Sequence, residues 1–105
     1  MDAFTAATDA LFADPNIARD AIWRAGGVGP GTTVRVVTRR PDQVLGFGDS
    51  RAVLPTTLID VRRSEVAEPA NGDTVEIDGD LFEVIAAPTI DSLRLVWTCE
   101  AAPPA

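Results

Sequence analysis

Residues 71–100 read NGDTVEIDGDLFEVIAAPTIDSLRLVWTCE, and apolar side chains alternate in this stretch with charged ones at a period of two. Such a period predicts half-buried antiparallel strands that are joined by tight turns and share one apolar face. The Asp-Gly-Asp sequence at 78–80 is typical of the turn between the first two strands. The residues predicted to face the core on three successive strands are Val75, Ile77, Phe82, Val84, Leu93, Leu95, Trp97 and Cys99.

The hairpin has two possible registers. If residues 79–80 form the loop, Glu76 faces Glu83 across the strands, which is repulsive. If the loop lies one residue earlier, Val75 pairs with Phe82 and the two glutamates no longer face each other. Both registers place the same side chains on the buried face, so the predicted fold is independent of the choice.

The N-terminal residues 2–13 are predicted to form a short amphipathic helix, because their apolar side chains recur at helical spacing. Asp2 is placed to cap this helix, and Pro15 is placed to stop its continuation. We expect the helix to pack on the open face of the sheet. Docking into a neighbouring subunit is the alternative that its apolar surface allows.

Further strands are predicted between the helix and the C-terminal hairpin. Residues 16–24 fit both a helical turn and a strand, and we favour a strand at their end, with Trp23 as a core or interface anchor. Residues 34–39 alternate as a strand does. Residues 56–63 form the next strand, with Leu58 turned inward and Val61 as the second inward candidate.

Together these elements predict a mainly β fold, a small antiparallel β-barrel or sandwich of about six strands with a short N-terminal α-helix. A chain of 105 residues is expected to form a single domain. Within it, residues 1–14 carry the helix, residues 20–100 form the β-domain, and residues 101–105 form a loose tail.

The residue inventory argues against catalysis. The chain contains no histidine, lysine or tyrosine, which removes most general bases and the usual pairs that activate a nucleophile. Its one cysteine, Cys99, has no second cysteine or histidine with which to bind zinc, and we expect it to be a small core residue. Asp73, Asp78 and Asp80 are acids in turns, where carboxylates are ordinarily solvated, so neither an active site nor a calcium site is expected there.

The net charge of −7 opposes any function that depends on binding the phosphates of nucleic acid, because such affinity comes from clustered cations. An acidic surface instead stays soluble and lets DNA pass without adhesion. No apolar run approaches the roughly 20 residues of a membrane helix.

Two connections stand out as loops. Residues 25–33, AGGVGPGTT, are rich in glycine, but no Gly-Lys-Ser/Thr follows them and the next segment is a strand. A phosphate cradle needs a helix N-terminus behind it, so we expect a plain, flexible hairpin connection. Residues 41–55 are the least regular part of the chain, and either an ordinary excursion or a contact or gating loop accounts for their length.

Three stretches carry a family resemblance: MDAFTAATDALFADPNIARDAIWRAGG at 1–27, VRVVTRRPDQ at 34–43, and NGDTVEIDGDLFEVIAAPTIDSLRLVWT at 71–98. They resemble the small head-tail joining proteins, of the head-completion or stopper class, of long-tailed bacteriophages, prophages and gene transfer agents. The ending of this chain, in which Gly-Asp precedes a strand, Asp-Gly-Asp precedes a second one, and a proline precedes the last, is typical of those proteins. The likeness covers nearly the whole chain.

The resemblance implies a virion structural protein of the phage neck that is not an enzyme and needs no cofactor. It implies a homo-oligomeric ring, of six copies, between the portal or its adaptor and the tail terminator or tail tube. Double-stranded DNA would pass through the lumen without sequence-specific binding, and the ring would help to retain the genome. No membrane is involved, and assembly would take place in the cytoplasm of the bacterial host. The alternatives are a tail terminator, another neck ring subunit, or a monomeric β-barrel module that binds another protein.

The resemblance also implies loops that contact other proteins or gate the channel, although it transfers no single residue as a site. In this chain the candidates are Gln43, Val44, Leu45, Phe47, Asp49, Arg51 and Leu54 in the longer loop and Val28 and Pro30 in the glycine-rich loop. Side chains expected to contact a neighbouring subunit are Phe4, Phe12, Arg39 and Arg40.

Overall fold

A computed structural model describes residues 2–40 and 56–104, which form an antiparallel barrel with one helix at its N-terminal side. The elements, in chain order, are α1 (Ala3–Ala13), β1 (Arg19–Arg24), a single 3₁₀ turn (Ala25–Gly27), β2 (Thr32–Arg39), β3 (Thr57–Arg62), β4 (Thr74–Ile77), β5 (Asp80–Val84), β6 (Thr89–Ile90) and β7 (Val96–Ala102).

Six strands follow one another around the barrel in the order β3-β2-β1-β4-β5-β7, and β7 closes it by pairing with β3. The short strand β6 adds to β7 through two residue pairs. All of the pairings are antiparallel. The predicted mainly β fold with a short N-terminal helix is therefore confirmed.

The barrel interior is filled by apolar side chains from every second position of the six barrel strands, as the pleat requires. A barrel of this size is closed by its own side chains and has no room for a ligand. The largest of the fully buried side chains are Val34, Val36, Ile59, Val61, Val75, Val84 and Cys99.

The β4–β5 hairpin adopts the second of the two predicted registers. Val75 pairs with Phe82, and Glu76 faces Leu81, so the two glutamates are not opposed. Asp78 and Gly79 form the loop with φ values of 52° and 86°. Two successive residues with positive φ are what a two-residue hairpin turn requires, because its twist then matches that of the strands.

The third strand of the C-terminal region differs from the prediction at both ends. β7 begins only at Val96, because the carboxylate of Asp91 accepts the backbone N–H groups of Leu95 (2.8 Å) and Val96 (3.3 Å) and holds the preceding residues in a turn. The prediction for Leu93 is wrong, since this side chain is exposed. At the other end β7 includes Ala101 and Ala102, both buried, so the predicted loose tail begins too early.

Of the two side chains predicted to point inward from strand β3, the structure confirms Val61 and contradicts Leu58. Ile59 lies opposite Cys99 of β7, and both are fully buried. The alternation of the strand then turns Leu58 outward and Val61 inward. The inward prediction for Leu58 is wrong because pairing on both sides of β3, which the sequence does not reveal, sets the register.

The N-terminal region follows the sequence closely. Asp2 caps α1 through a 2.7 Å hydrogen bond that its carboxylate accepts from the N–H of Thr5, as predicted. The end of segment 16–24 is strand β1, and Trp23 is buried in the core. The predicted packing of the helix on an open sheet face is wrong, since the sheet closes on itself and α1 lies on the outer surface against β2.

Candidate functional site

The longer of the two predicted contact loops lies outside the described residues, and with it the candidates Gln43, Val44, Leu45, Phe47, Asp49, Arg51 and Leu54. The glycine-rich loop connects β1 to β2 and is described in full. Its Val28 side chain is 73% exposed and Pro30 is also exposed, so both are available to a partner.

A buried carboxylate, that of Asp73, holds the glycine-rich loop in place. Its two oxygens accept hydrogen bonds from the indole Nε1 of Trp23 (3.0 Å), the backbone N–H of Gly26 (2.9 Å) and the backbone N–H of Ala70 (2.9 Å). Three donors around one buried acid satisfy it completely in a structural role. Asp73 therefore positions the loop that carries Val28, a role that sequence reasoning missed.

The glycines of this loop serve backbone geometry. Gly31 has a φ of 80°, and a Cβ at this position would lie 2.6 Å from Cγ2 of Ile22. Both the positive φ and this close approach exclude a larger residue. The glycine content that suggested a phosphate cradle is thus explained by the close passage of the loop over β1, and the connection is a hairpin loop as predicted.

Helix α1 is oriented with its polar side towards the barrel and its apolar side towards solvent. Thr5, Thr8 and Asp9 line a groove between the helix and the barrel. On the outer side Phe4 is 63% exposed and Leu11 is 50% exposed. A surface helix ordinarily buries its apolar stripe, so this orientation leaves a face without a partner in the described part of the chain.

Arg62, at the end of β3, attaches α1 to the barrel. Its guanidinium pairs with Asp9 of the helix (3.0 Å) and with Glu65 (2.7 Å), and it lies over the ring of Phe12 at 5.3 Å. Burial lowers the pKa of Arg62, but hydrogen bonds and charge attraction from Glu65 and Asp9 outweigh it and raise the pKa overall. The prediction of Phe12 as an inter-subunit contact is wrong, because its ring is buried inside the chain.

Replacing Arg62 with alanine is expected to lower the free energy of unfolding by about 2 kcal/mol, because two carboxylates and a ring lose their common partner. The loss of stability should be concentrated at α1. The substitution should therefore accelerate hydrogen exchange of the helix amides more than that of the β2 amides. Arg19→Ala is the matched control, since Arg19 forms an exposed ion pair with Asp78, and it should change the free energy by no more than about 0.5 kcal/mol. Equal effects of the two substitutions would show that Arg62 does not hold the helix.

The two predicted basic contacts differ in their surroundings. Arg39 forms a double hydrogen bond to the carboxylate of Asp60, at 3.1 and 2.9 Å. Asp60 raises the pKa of Arg39 through these hydrogen bonds and its charge. Its carboxylate also accepts a hydrogen bond from the hydroxyl of Thr98 (2.8 Å). Arg40 is exposed, and it lines a shallow surface at the end of the barrel near Asp78.

The thiol of Cys99 is buried in the core, which confirms the prediction of a small core residue. Burial, followed by the charges of Asp73 and Asp60, raises the pKa of this thiol from 9.0 to about 12. The thiol therefore stays protonated at physiological pH and is a poor nucleophile.

Within residues 2–40 and 56–104 no cluster of three or more His, Cys, Asp or Glu side chains has an arrangement that would hold a metal ion. No helix in the same residues has the length and hydropathy to cross a membrane.

Comparison with models of protein families gives a match over residues 1–101 to the family described as Phage Head-Tail Attachment protein. No curated protein matches the chain. The match includes α1, the glycine-rich loop and all but the last residue of β7.

Proposed function

Because the chain belongs to the phage head-tail attachment family, we propose that it forms a homo-oligomeric ring, with six copies as the working number, in the phage neck. The coarse role, that of a structural protein which attaches heads to tails, follows from the family. The proposal adds that the ring joins the portal-adaptor complex of the DNA-filled head to the tail terminator or tail tube and helps to retain the genome. Assembly then takes place in the cytoplasm of the bacterial host.

The observation that carries the ring proposal is the outward apolar face of α1. Phe4 and Leu11 are 63% and 50% exposed on a helix whose polar residues Thr5 and Asp9 face the barrel. In a monomer the side chains of Phe4 and Leu11 stay largely in water, so they contribute little burial to its stability. In a ring, each copy packs against its neighbours, and these side chains can be buried at the contacts.

The charge of the chain supports a channel that DNA crosses without adhering. Each copy carries a net charge of −7, and a ring multiplies it. Five of the nine arginines form the six described ion pairs with acidic side chains, and Arg62 forms two of these pairs. Because acids outnumber arginines by 16 to 9 and five arginines already pair with acids, DNA is repelled and kept mobile in the lumen.

The loops are proposed to make the contacts with other neck proteins. Val28 and Pro30 project from a loop that Asp73 fixes at one end, so they present a defined surface. The segment 43–55 is proposed as the second contact or gating loop. Arg39 and Arg40, near the end of β2, are proposed to contact a neighbouring subunit of the ring.

Deletion of the gene from its phage or prophage tests the proposal. We expect DNA-filled heads and separate, complete tails in the lysate, and infectious particles should reappear when the intact gene is supplied in trans. A stopper that retains the genome also predicts that heads from the deletion lose DNA on storage or dilution. Normal tailed virions from the deletion strain would refute the proposal, and tailless but stably filled heads would remove the genome-retention part.

A further inference from the structure

Two exposed apolar patches lie on different elements of the barrel. The helix patch consists of Phe4, Ala7 and Leu11, which share one face of α1 because they are spaced by three and four residues. The strand patch consists of Leu81, which is 42% exposed at the start of β5, and Ile85, which is 39% exposed just after its end. Residues 81 and 85 point away from the core because the intervening Phe82 and Val84 point into it.

The two patches are on opposite sides of the molecule. Helix α1 packs against β2, and the carbonyl of Phe12 accepts a 2.9 Å hydrogen bond from Nε of Arg35 on that strand. In the closed strand order β5 is three strands away from β2 in either direction. A six-stranded barrel therefore places the strand patch diametrically across from the helix.

The charges beside the patches are complementary. Arg63 and Arg94 border the groove next to α1, and neither forms an ion pair with any residue in 2–40 or 56–104. On the other side Glu83 lies between the two strand-patch residues. Glu100 lies beside Ile85, whose N–H donates to the Glu100 carbonyl at 2.9 Å. These two glutamates also have no ion-pair partner within the described ranges.

We propose that the helix patch of one copy docks on the strand patch of the next copy, with Arg63 and Arg94 facing Glu83 and Glu100. The inference rests on the proposed ring and names the two surfaces that build it. Apolar area matches apolar area, and cations meet acids that have no ion-pair partner among the described residues, which favours this pairing over contact of either patch with itself. Because the surfaces differ, each docked copy keeps one patch free for another copy. This is a head-to-tail contact, which closes into a ring when the rotation per copy divides a full turn.

The test uses one substitution in each patch, Leu11→Asp and Leu81→Asp, on the full chain. Each variant alone should be monomeric by sedimentation at concentrations at which the wild-type chain self-associates. An equimolar mixture has one intact helix patch and one intact strand patch that can meet, so it should give a dimer of two 11.1 kDa chains and nothing larger. Asn71→Asp adds the same charge at an exposed position outside both patches and should assemble as the wild type does.

A second pair of variants tests the charges without altering the apolar residues. Arg94→Glu and Glu83→Arg should each weaken self-association about tenfold or more, because like charges then face each other. Mixing the two variants, or combining them in one chain, should restore assembly to near the wild-type level. Circular dichroism and cooperative unfolding confirm that every variant is folded.

Three outcomes would overturn this inference. They are a wild-type chain that stays monomeric at its highest soluble concentration, a Leu81→Asp variant that dimerises on its own through the helix patch, and a mixture that fails to dimerise. None of them decides the proposed function, which the gene deletion tests separately. If the wild-type chain and its patch variants restore tail attachment in trans equally well, that result rejects only the pairing of the two patches.

Discussion

Replacing Asp73 with alanine is expected to lower the free energy of unfolding by about 3 kcal/mol, because the removal of one buried acceptor leaves several donors without a partner. The indole N–H of Trp23 loses its acceptor in the core, and the N–H groups of Gly26 and Ala70 lose theirs near the surface. Water can reach the two backbone groups more easily than the indole, so we expect most of the loss to come from Trp23. Urea denaturation followed by tryptophan fluorescence measures it.

The matched control for Asp73 is Asp80→Ala, an acid of the same segment that is exposed at the start of β5. An exposed acid with no buried donor to satisfy should cost no more than about 0.5 kcal/mol. Hydrogen exchange gives a second readout, because the amides of Gly26 and Ala70 should lose protection in Asp73→Ala and keep it in Asp80→Ala. If the two alanine variants unfold at the same urea concentration, the assigned role of Asp73 is wrong.

The role of Asp73 could not be predicted from the sequence because two of its three hydrogen-bond partners are distant along the chain. Trp23 is 50 residues away and Gly26 is 47 residues away. An aspartate that follows Asn-Gly is ordinarily a solvated turn residue, and no local pattern distinguishes a buried one. The chain had offered one signal: a buried tryptophan requires an acceptor for its N–H.

The local sequence pattern was sufficient to predict the structure where a segment pairs with residues that are close to it in sequence. The β4–β5 hairpin has its turn at Asp78 and Gly79, and the repulsion between Glu76 and Glu83 that distinguished the two registers is avoided. The family resemblance, which rested on this hairpin among other stretches, is confirmed by the match over residues 1–101. Sequence reasoning therefore found the family and the fold class.

Pattern failed where an element depends on partners remote in sequence. The spacing in α1 predicted an amphipathic helix, but not that the barrel would close and leave Phe4 and Leu11 in solvent while Phe12 is buried. Leu93 continued the alternation of a strand, but the side chain of Asp91 accepts the backbone N–H groups that follow and keeps this residue in a turn. Side-chain hydrogen bonds to the backbone compete with strand pairing in this way, and residue period does not record them.

The second large effect is expected in β3, where Ile59→Ala should cost about 3 kcal/mol or more. Ile59 is fully buried, with Cys99 of β7 opposite it on one side and Thr38 of β2 on the other. Truncation removes three methyl or methylene groups from the centre of a barrel whose strands are joined by hydrogen bonds on both sides. Such a frame cannot collapse around the cavity, so the loss includes a cavity term as well as the lost burial. Urea denaturation measures the free energy of unfolding.

Leu58→Ala is a control of nearly equal chemistry, because leucine and isoleucine lose the same number of atoms on truncation to alanine. Leu58 lies next to Ile59 on the outward face of β3 and is partly exposed. Its truncation should therefore cost about 1 kcal/mol, since water already reaches the side chain and no closed cavity forms. A larger loss at Leu58 than at Ile59 would restore the face assignment that the sequence alone suggested and contradict the pairing of β3 with β7. Ile59 and Leu58 are adjacent on one strand and lose the same number of atoms. A difference between their losses in the free energy of unfolding therefore reports the direction of each side chain.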